Sequence, residues 1–255
     1  MSRRSLALVR KDFLLYAADP LPVVLMMVMP LAFVAFLVPL NRALLEAQGY
    51  EGVTGAEQVL PGMMVMFGLF LLGIAGDQFY REHGWGTWER SRVAADTPEI
   101  ILGKVVPALA VLVFQLVIVL VAGWVVYGMR VAGPVSAVLL VAAAFAVCLM
   151  AILVAQVAWC TTFAQFNAVN VLMVMTFSGL GGAFAPVSLM PGWVQSLARF
   201  TPAYWAIEGL RDVMLEGTGL GPASGTAAIL LVFAAAFTGL AAARFRIDEA
   251  KIANI

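Results

Sequence analysis

Few residues could carry chemistry within the long apolar stretches of this chain. Isolated polar side chains interrupt those stretches at Asp77, Gln115, Gln156, Asn167 and Asn170. An enzyme working inside a bilayer needs such groups to converge, because polar groups in hydrocarbon are costly and usually functional. The apolar stretches hold no HExxH motif, no clustered carboxylates and no Ser/His pair, since the only histidine, His83, lies in a charged segment. We therefore predict no catalytic, metal or cofactor-binding site in this chain.

The composition points to a membrane protein built of helices. Of 255 residues, 63% are hydrophobic and only 12% are charged, and the mean hydropathy is +0.97. An average soluble domain is about 45–50% apolar and about 25% charged. Intrinsic disorder is excluded by the same values. The formal net charge is zero, which argues against a nucleic-acid binder because that class shows a basic excess.

Six stretches are long and apolar enough to span a bilayer, which takes about 20 residues. Their predicted bounds are 21–40, 59–80, 104–127, 134–158, 167–186 and 224–243. The remaining pieces leave no room for a soluble domain. We therefore predict an all-α polytopic membrane protein, with residues 1–255 forming a single transmembrane domain.

Basic residues set the expected orientation, because cytoplasmic loops carry an excess of Lys and Arg. Eleven of the fifteen fall on one side of the six spans and four on the other. The eleven are Arg3, Arg4, Arg10, Lys11, Arg81, Arg90, Arg92, Lys104, Arg244, Arg246 and Lys251. This asymmetry predicts a multi-pass protein of the cell inner (plasma) membrane with both termini in the cytoplasm.

Three segments outside the spans are candidates for function. Residues 1–19 are predicted to form an interfacial helix, because Leu6, Val9, Phe13 and Ala17 recur at helical spacing. Residues 81–103 form a charged cytoplasmic loop, in which a short helix is expected near 87–95.

The third segment, residues 187–223, is external and rich in proline and aromatic residues. Thr201-Pro202 predicts a helix start there, because Thr caps helices and Pro suits their first position. Glu208 and Arg211 lie three apart on that helix and can pair. Two short helices are therefore expected to meet at Thr201, forming a re-entrant lid.

Two of these segments carry motifs that resemble the permease subunits of type-2 ABC exporters. The cytoplasmic loop has an Arg-Glu pair, then Gly-Thr-x-Glu, then Pro98 and Gly103-Lys104. The external region has Ser178-Gly179, Pro186, Leu189-Met190-Pro191, Trp193, Pro202, Tyr204 and Gly209-Leu210-Arg211. The order of these motifs within six spans matches the family along the whole chain.

The resemblance implies that two permease chains, identical or different, pair around a translocation path in membrane lipid. It also implies that ABC ATPase subunits, holding ATP and Mg²⁺, dock on the cytoplasmic loops. No G-x-x-x-x-G-K-[ST] phosphate loop occurs in this chain, so the ATPase activity is expected in a partner. The predicted docking residues are Arg81, Glu82, Trp85, Gly86, Thr87, Trp88, Glu89 and Arg90. The predicted external re-entrant residues are Pro191, Trp193, Pro202, Tyr204, Glu208 and Arg211.

Within the docking loop, Trp85 and Trp88 are the expected aromatic anchors, with Glu82, Glu89 and Arg90 as charges around them. The expected function is ATP-driven export of an amphiphilic substrate, because the spans are uncharged. The family's substrates include drugs, antibiotics, lipids and glycans. A secondary transporter or channel remains the alternative, although the sequence shows no inverted repeat and only Asp77 as a carboxylate near a span. An integral-membrane enzyme is less favoured still.

Overall fold

The protein is all-α. The structure, a computed structural model, describes residues 3–245 and 251–252. Within those residues every regular element is a helix, apart from one isolated parallel bridge between Thr162 and Ile252. The helices are α1 (Arg3–Ala18), α2 (Leu21–Ala47), α3 (Ala56–Gly84), α4 (Trp88–Ala94), α5 (Thr97–Val125), α6 (Val135–Trp159), α7 (Phe163–Gly181), α8 (Gly192–Ala198), α9 (Pro202–Met214) and α10 (Leu220–Arg244), with a 3-10 turn at Val187–Leu189.

Six of these helices, α2, α3, α5, α6, α7 and α10, are long and apolar enough to cross a membrane. This confirms the predicted number of spans, but the bounds differ. Helices α2 and α3 extend past their predicted carboxyl ends, whereas α7 begins and ends four to five residues earlier than predicted. Helix α3 continues to Gly84 and α5 begins at Thr97, so the loop predicted over 81–103 narrows to 85–96 around α4. The start of α5 is fixed by a capping box, in which Asp96 and Glu99 bond reciprocally to backbone N–H groups.

The bundle has two distinct ends. We call the end that carries α1, α4 and residues 251–252 the α4 end, and the end that carries α8 and α9 the α9 end. Of the eleven basic residues on the predicted cytoplasmic side, ten belong to segments at the α4 end, and Arg246 lies outside the described residues. The basic residues that the sequence places on one side of the spans therefore cluster at one end of the folded bundle.

Helices α3 and α6 form the centre. In their most apolar stretches 83% and 72% of residues are buried, against 11–33% in the other four long helices. Glycines let neighbours approach α3 closely. A Cβ on Gly76 would overlap the ring of Phe166 in α7, and a Cβ on Gly62 would overlap the backbone of Ala183. The apolar outer faces of α2, α7 and α10 are consequently left for lipid or another chain.

Helix α1 occupies the segment predicted as an interfacial helix. It packs against α5, where the buried Lys104 pairs with Asp12. Ser5, Val9 and Asp12 are buried, whereas Leu6 and Phe13 of the predicted apolar stripe are exposed. The position of α1 in the membrane interface stays a prediction.

The segment after α7 folds as two short helices that meet at Thr201, as predicted. The Thr201 hydroxyl accepts a hydrogen bond from the Tyr204 backbone N–H at 3.3 Å, and Pro202 occupies the first position of α9. Helix α9 packs against α3, α6, α7 and α10, burying one apolar face. It therefore closes the α9 end of the bundle.

Candidate functional site

Some of the predicted docking residues in the loop at the α4 end are exposed, and others are buried. Trp85 is 56% exposed, and Glu89 and Arg90 are exposed as well. Gly86 has a positive φ of 65°, which favours glycine at the turn between α3 and α4. The Thr87 backbone N–H donates to the carbonyl of Glu82 at 3.0 Å, which closes this turn. The exposed residues therefore lie on both sides of Trp88 in the chain.

Trp88 is not an exposed anchor, contrary to expectation. Its side chain is 5% exposed and its ring stacks on His83, with the centroids 4.3 Å apart. It packs in a small cluster with Ala95 and Ile100, against Leu8 of α1. The expectation was wrong because the loop folds back onto α1 and α5, so Trp88 attaches the loop to the bundle.

Glu82 is likewise buried, at 1% exposure, rather than a charge on the rim. It belongs to a network centred on the ammonium group of Lys104, which is itself buried. Lys104 Nζ lies 2.7 Å from Glu82 Oε1, 3.0 Å from Asp12 Oδ2 and 3.0 Å from the backbone carbonyl of Gln78. Lys11 also pairs with Glu82 and lies 3.5 Å from Asp12 Oδ1. The network thus balances two ammonium groups with two carboxylates.

Three helices meet in this network. Lys11 and Asp12 belong to α1, Glu82 to the end of α3, and Lys104 to the start of α5. Burial raises the pKa of Asp12, and the neighbouring Lys104 opposes that rise. Removing one member of this network would leave a buried charge without its partner, which is expensive.

The sequence reading missed Asp12 and assigned Lys104 no role, although it singled out the Gly103-Lys104 pair. The structure explains both members of that pair. A Cβ on Gly103 would lie 2.7 Å from Leu8 Cβ, so glycine permits the close approach of α1, and Lys104 then pairs with Asp12. One signal was available, since Asp12 lies three residues after the apolar Val9 on the same helical face.

A cavity of about 380 Å³, with both apolar and charged lining residues, adjoins this network between α1, α3 and α7. It is lined by Leu15, Tyr16, Asp19, Pro22, Phe70, Gly73, Ile74, Asp77, Gln78, Arg81, Phe163, Asn167, Asn170 and Val171. Arg81 Nε pairs with Asp77 Oδ2 at 2.5 Å within α3. Gln78 and Asn170 are buried, and neither side-chain oxygen has a hydrogen-bond partner among the described residues. The cavity therefore has apolar and charged walls, while the side-chain oxygens of Gln78 and Asn170 are themselves covered.

Arg211 of α9 pairs with Glu208, as predicted. Arg211 Nη2 lies 2.9 Å from Glu208 Oε2, 3.3 Å from Asp212 Oδ1 and 3.6 Å from Glu216 Oε1. Burial raises the pKa of Asp212 to about 6, with Arg211 opposing the rise.

The aromatic residues of this segment stay near the surface. Tyr204 packs edge-on against Trp205, with ring centroids 5.3 Å apart, whereas Trp193 is 67% exposed. Pro191 precedes α8 as its N-cap. A gating role for this segment stays a prediction.

Titratable groups elsewhere do not assemble into a metal site. Among residues 3–245 and 251–252, no group of three or more His, Cys, Asp or Glu side chains could hold a metal ion. Cys148 and Cys160 are both buried and free.

The features that bear on identity are six long apolar helices, a structured loop at one end and the helix pair α8 and α9 at the other. A model of the ABC-2 type transporter family matches residues 4–215, which include all of these except the last helix. The chain belongs to the ABC-2 type transporter family.

As a member of this family, the chain is a multi-pass membrane protein and a transport permease subunit. The chain is similar to the linearmycin resistance permease protein LnrN of Bacillus subtilis (strain 168), with 27% identity over 189 residues. The matched region is 74% of this chain and 49% of the relative, so the chain spans about half the length of that protein.

Proposed function

We propose that this chain is the permease subunit of an ATP-driven exporter. It moves an amphiphilic substrate, of the drug, antibiotic, lipid or glycan class, out of the cytoplasm. A separate ABC ATPase, which binds ATP and Mg²⁺, docks on the loop around α4 and supplies the energy. The observation that carries this proposal is the attachment of that loop to α1, α3 and α5 through Trp88 and the Lys104 network.

The attachment offers a mechanical route from the loop to the spans. Trp88 stacks on His83 of α3 and packs with Ile100 of α5, so a displacement of α4 acts on both helices. Lys104 links the same two helices to α1. Because buried ion pairs and packed side chains resist separation, the three helices are expected to move together when an ATPase moves the loop.

The exposed side of the loop supplies a surface for the ATPase. Trp85 is 56% exposed and Val93 is 91% exposed, although both are apolar. Exposed aromatic residues of this type become anchors when a partner buries them. Glu89 and Arg90 add charges beside them, which favours specificity over affinity. The docking contact is therefore assigned to Trp85 rather than to Trp88.

We expect Trp85→Ala to weaken ATPase capture by at least about 2 kcal/mol, roughly 30-fold, because an interface anchor would be lost. The measurement is pull-down of the ATPase subunit by the permease in detergent, at matched expression. Arg90→Ala, which removes a neighbouring exposed charge, is the control and should have a smaller effect.

The variant Trp88→Ala distinguishes an effect on ATPase docking from an effect on the folding of the permease. Since Trp88 is packed inside the chain, this change should lower the thermal stability of the permease itself, whereas Trp85→Ala should not. Normal ATPase capture by Trp85→Ala would mean that the partner binds another surface.

The charge asymmetry supports placing the α4 end in the cytoplasm. We expect a cysteine at Arg90 to be protected from a membrane-impermeant thiol reagent in intact cells, and a cysteine at Gln48 to be labelled. The background carries Cys148→Ala and Cys160→Ala, and permeabilised cells should label both positions. Labelling at position 90 in intact cells would reverse the orientation.

The proposed assembly has two permease chains, identical or different, in the inner (plasma) membrane. Their pairing is supported by the exposed apolar residues of α2 and α7, including Phe36 and Leu172. The name of the relative says that it acts in linearmycin resistance, which supports an antibiotic among the substrates proposed here.

A further inference from the structure

Helix α2 contains a proline within its length, and α5 supplies the hydrogen bond that this proline cannot make. We propose that Pro30 is a hinge in α2 and that Gln115 of α5 is the positioning residue that holds this hinge in one arrangement. Gln115 is one of the isolated polar residues of the apolar stretches, and no step of the proposed export function uses it. The inference therefore assigns a role to an amide group inside the membrane.

The hydrogen-bond pattern around Pro30 explains the contact with Gln115. A helical residue normally donates its backbone N–H to the carbonyl four residues earlier, which for position 30 is the carbonyl of Met26. Proline has no N–H, so the Met26 carbonyl lacks its helical donor. Gln115 Nε2 donates to that carbonyl at 2.9 Å. The side chain from α5 therefore replaces the bond that Pro30 removes from α2.

A second side chain contacts α2 on the other side of Pro30. The hydroxyl of Tyr127, two residues after the end of α5, donates to the carbonyl of Leu31 at 2.8 Å. Gln115 is fully buried, so water does not compete for its bond to Met26. Both parts of α2 are thus hydrogen-bonded to α5 or to the residues that follow it. We infer that α5 sets the angle between these two parts.

The packing of α2 changes at the same proline. Within α2, which the structure describes in full, no residue before Pro30 is buried, whereas Pro30, Val34, Asn41 and Leu45 are buried. Residues 21–29 therefore have little side-chain packing to fix their direction. Helices bend most readily at proline, where the hydrogen-bond ladder is already interrupted. Pro30 therefore lies between a packed and a loosely packed part of one helix, which is the arrangement expected of a hinge.

The hinge extends the route from the loop to the spans, and this consequence rests on the proposed function. Helix α5 carries Lys104 of the buried network, and its Ile100 packs with Trp88 of the loop. When an ATPase moves the loop, α5 moves Gln115 with it. The hydrogen bond from Gln115 to Met26 then moves residues 21–29, and α2 changes its angle at Pro30.

Spin labels on either side of Pro30 measure this angle. Cysteines at Leu21 and Ala35, both exposed positions, carry the labels in the background lacking Cys148 and Cys160. In a straight helix these two positions are about 21 Å apart along the axis. The labelled permease is placed in phosphatidylcholine nanodiscs with an excess of unlabelled permease, so each measured distance lies within one chain. No ATPase or ATP is present.

In Gln115→Met, which has a side chain of similar length and no donor, we expect the population of bent conformers to rise about fivefold, the effect of losing one hydrogen bond. Pro30→Ala restores a backbone N–H at position 30. The double variant Pro30→Ala/Gln115→Met should therefore show a single narrow distance distribution.

Gln156→Met is the matched control, because Gln156 is a buried amide of α6 whose Nε2 contacts Met173 Sδ rather than α2. It should leave the distance distribution unchanged. The reversal by Pro30→Ala is the result that a purely stabilising role of Gln115 would not produce. If Gln115→Met cannot be purified, recovery of folded protein in the double variant is the same reversal. Equal distributions in Gln115→Met and the unmodified permease, or a defect that Pro30→Ala leaves in place, would overturn the hinge.

The complex with the co-purified ABC ATPase tests the consequence for transport. ATP should shift the distance between the two labels in the unmodified chain and should not shift it in Pro30→Ala/Gln115→Met. A distance that ATP leaves unchanged in the unmodified chain would contradict the transmission of motion through Gln115. It would not contradict the hinge, because the assay without ATPase measures the hinge independently of whether Trp85 docks a partner.

Discussion

Lys104→Met is expected to lower the free energy of unfolding of the permease by about 3–5 kcal/mol, the usual cost of removing one member of a buried ion pair. The ammonium group of Lys104 is contacted by Asp12, Glu82 and the carbonyl of Gln78. Methionine has a similar length but no charge, so Lys11 alone would remain to balance two buried carboxylates. Unfolding in mixed micelles with increasing dodecyl sulfate measures the loss.

Two further variants show whether this loss is electrostatic. Adding Asp12→Asn to Lys104→Met removes the excess negative charge and should restore part of the stability. Arg42→Met breaks an exposed pair, Arg42 with Glu46 at 2.8 Å, and should cost less than about 1 kcal/mol. If Lys104→Met and Arg42→Met have equal effects, the buried network does not hold the three helices together.

Gly62→Ala is expected to destabilise the protein by about 3 kcal/mol, the upper part of the usual range for overpacking. The added Cβ would overlap the carbonyl oxygen of Ala183 and lie 2.7 Å from its Cα and 2.8 Å from its carbonyl carbon. These are backbone atoms, which cannot rotate away as a side chain can. The segment that connects α7 to α8 would have to move away from α3.

Gly179→Ala is the matched control, because a Cβ at that position of α7 would meet no atom within 4 Å. It should be neutral or stabilising, since alanine favours helix by up to about 1 kcal/mol over glycine. Melting temperatures from size-exclusion chromatography of heated samples would compare the two. Similar melting temperatures for Gly62→Ala and the unmodified protein would show that α3 and the segment at Ala183 are not tightly packed.

Helix positions, and the starts of α5 and α9, follow from local sequence. An apolar stretch of about 20 residues favours a helix, because the backbone N–H and C=O groups of a chain in lipid must form hydrogen bonds with one another. Asp96 with Glu99, and Thr201 with Pro202, mark helix starts through hydrogen bonds within four residues. The six spans, α4, the helix pair at Thr201 and the pairing of Glu208 with Arg211 were therefore predictable.

Burial within the loop did not follow from local sequence. Trp85 and Trp88 are the same residue type three positions apart in one charged segment, and only Trp88 is covered by Leu8 and Ile100. The covering residues come from helices distant in the sequence. The sequence located the loop, and tertiary packing decided which tryptophan a partner can reach.

The charged network and the cavity depend on the tertiary structure for the same reason. Sequence alone determined an all-α membrane protein, its six spans, the clustering of basic residues on one side and the resemblance to a transporter family. Only the folded bundle decided that Asp12, Glu82 and Lys104 meet, although three whole helices, α2, α3 and α4, separate Asp12 from Lys104 in the sequence. An ion pair or a cavity wall depends on distances between side chains, and those distances are set by helix packing rather than by the spacing of residues along the chain.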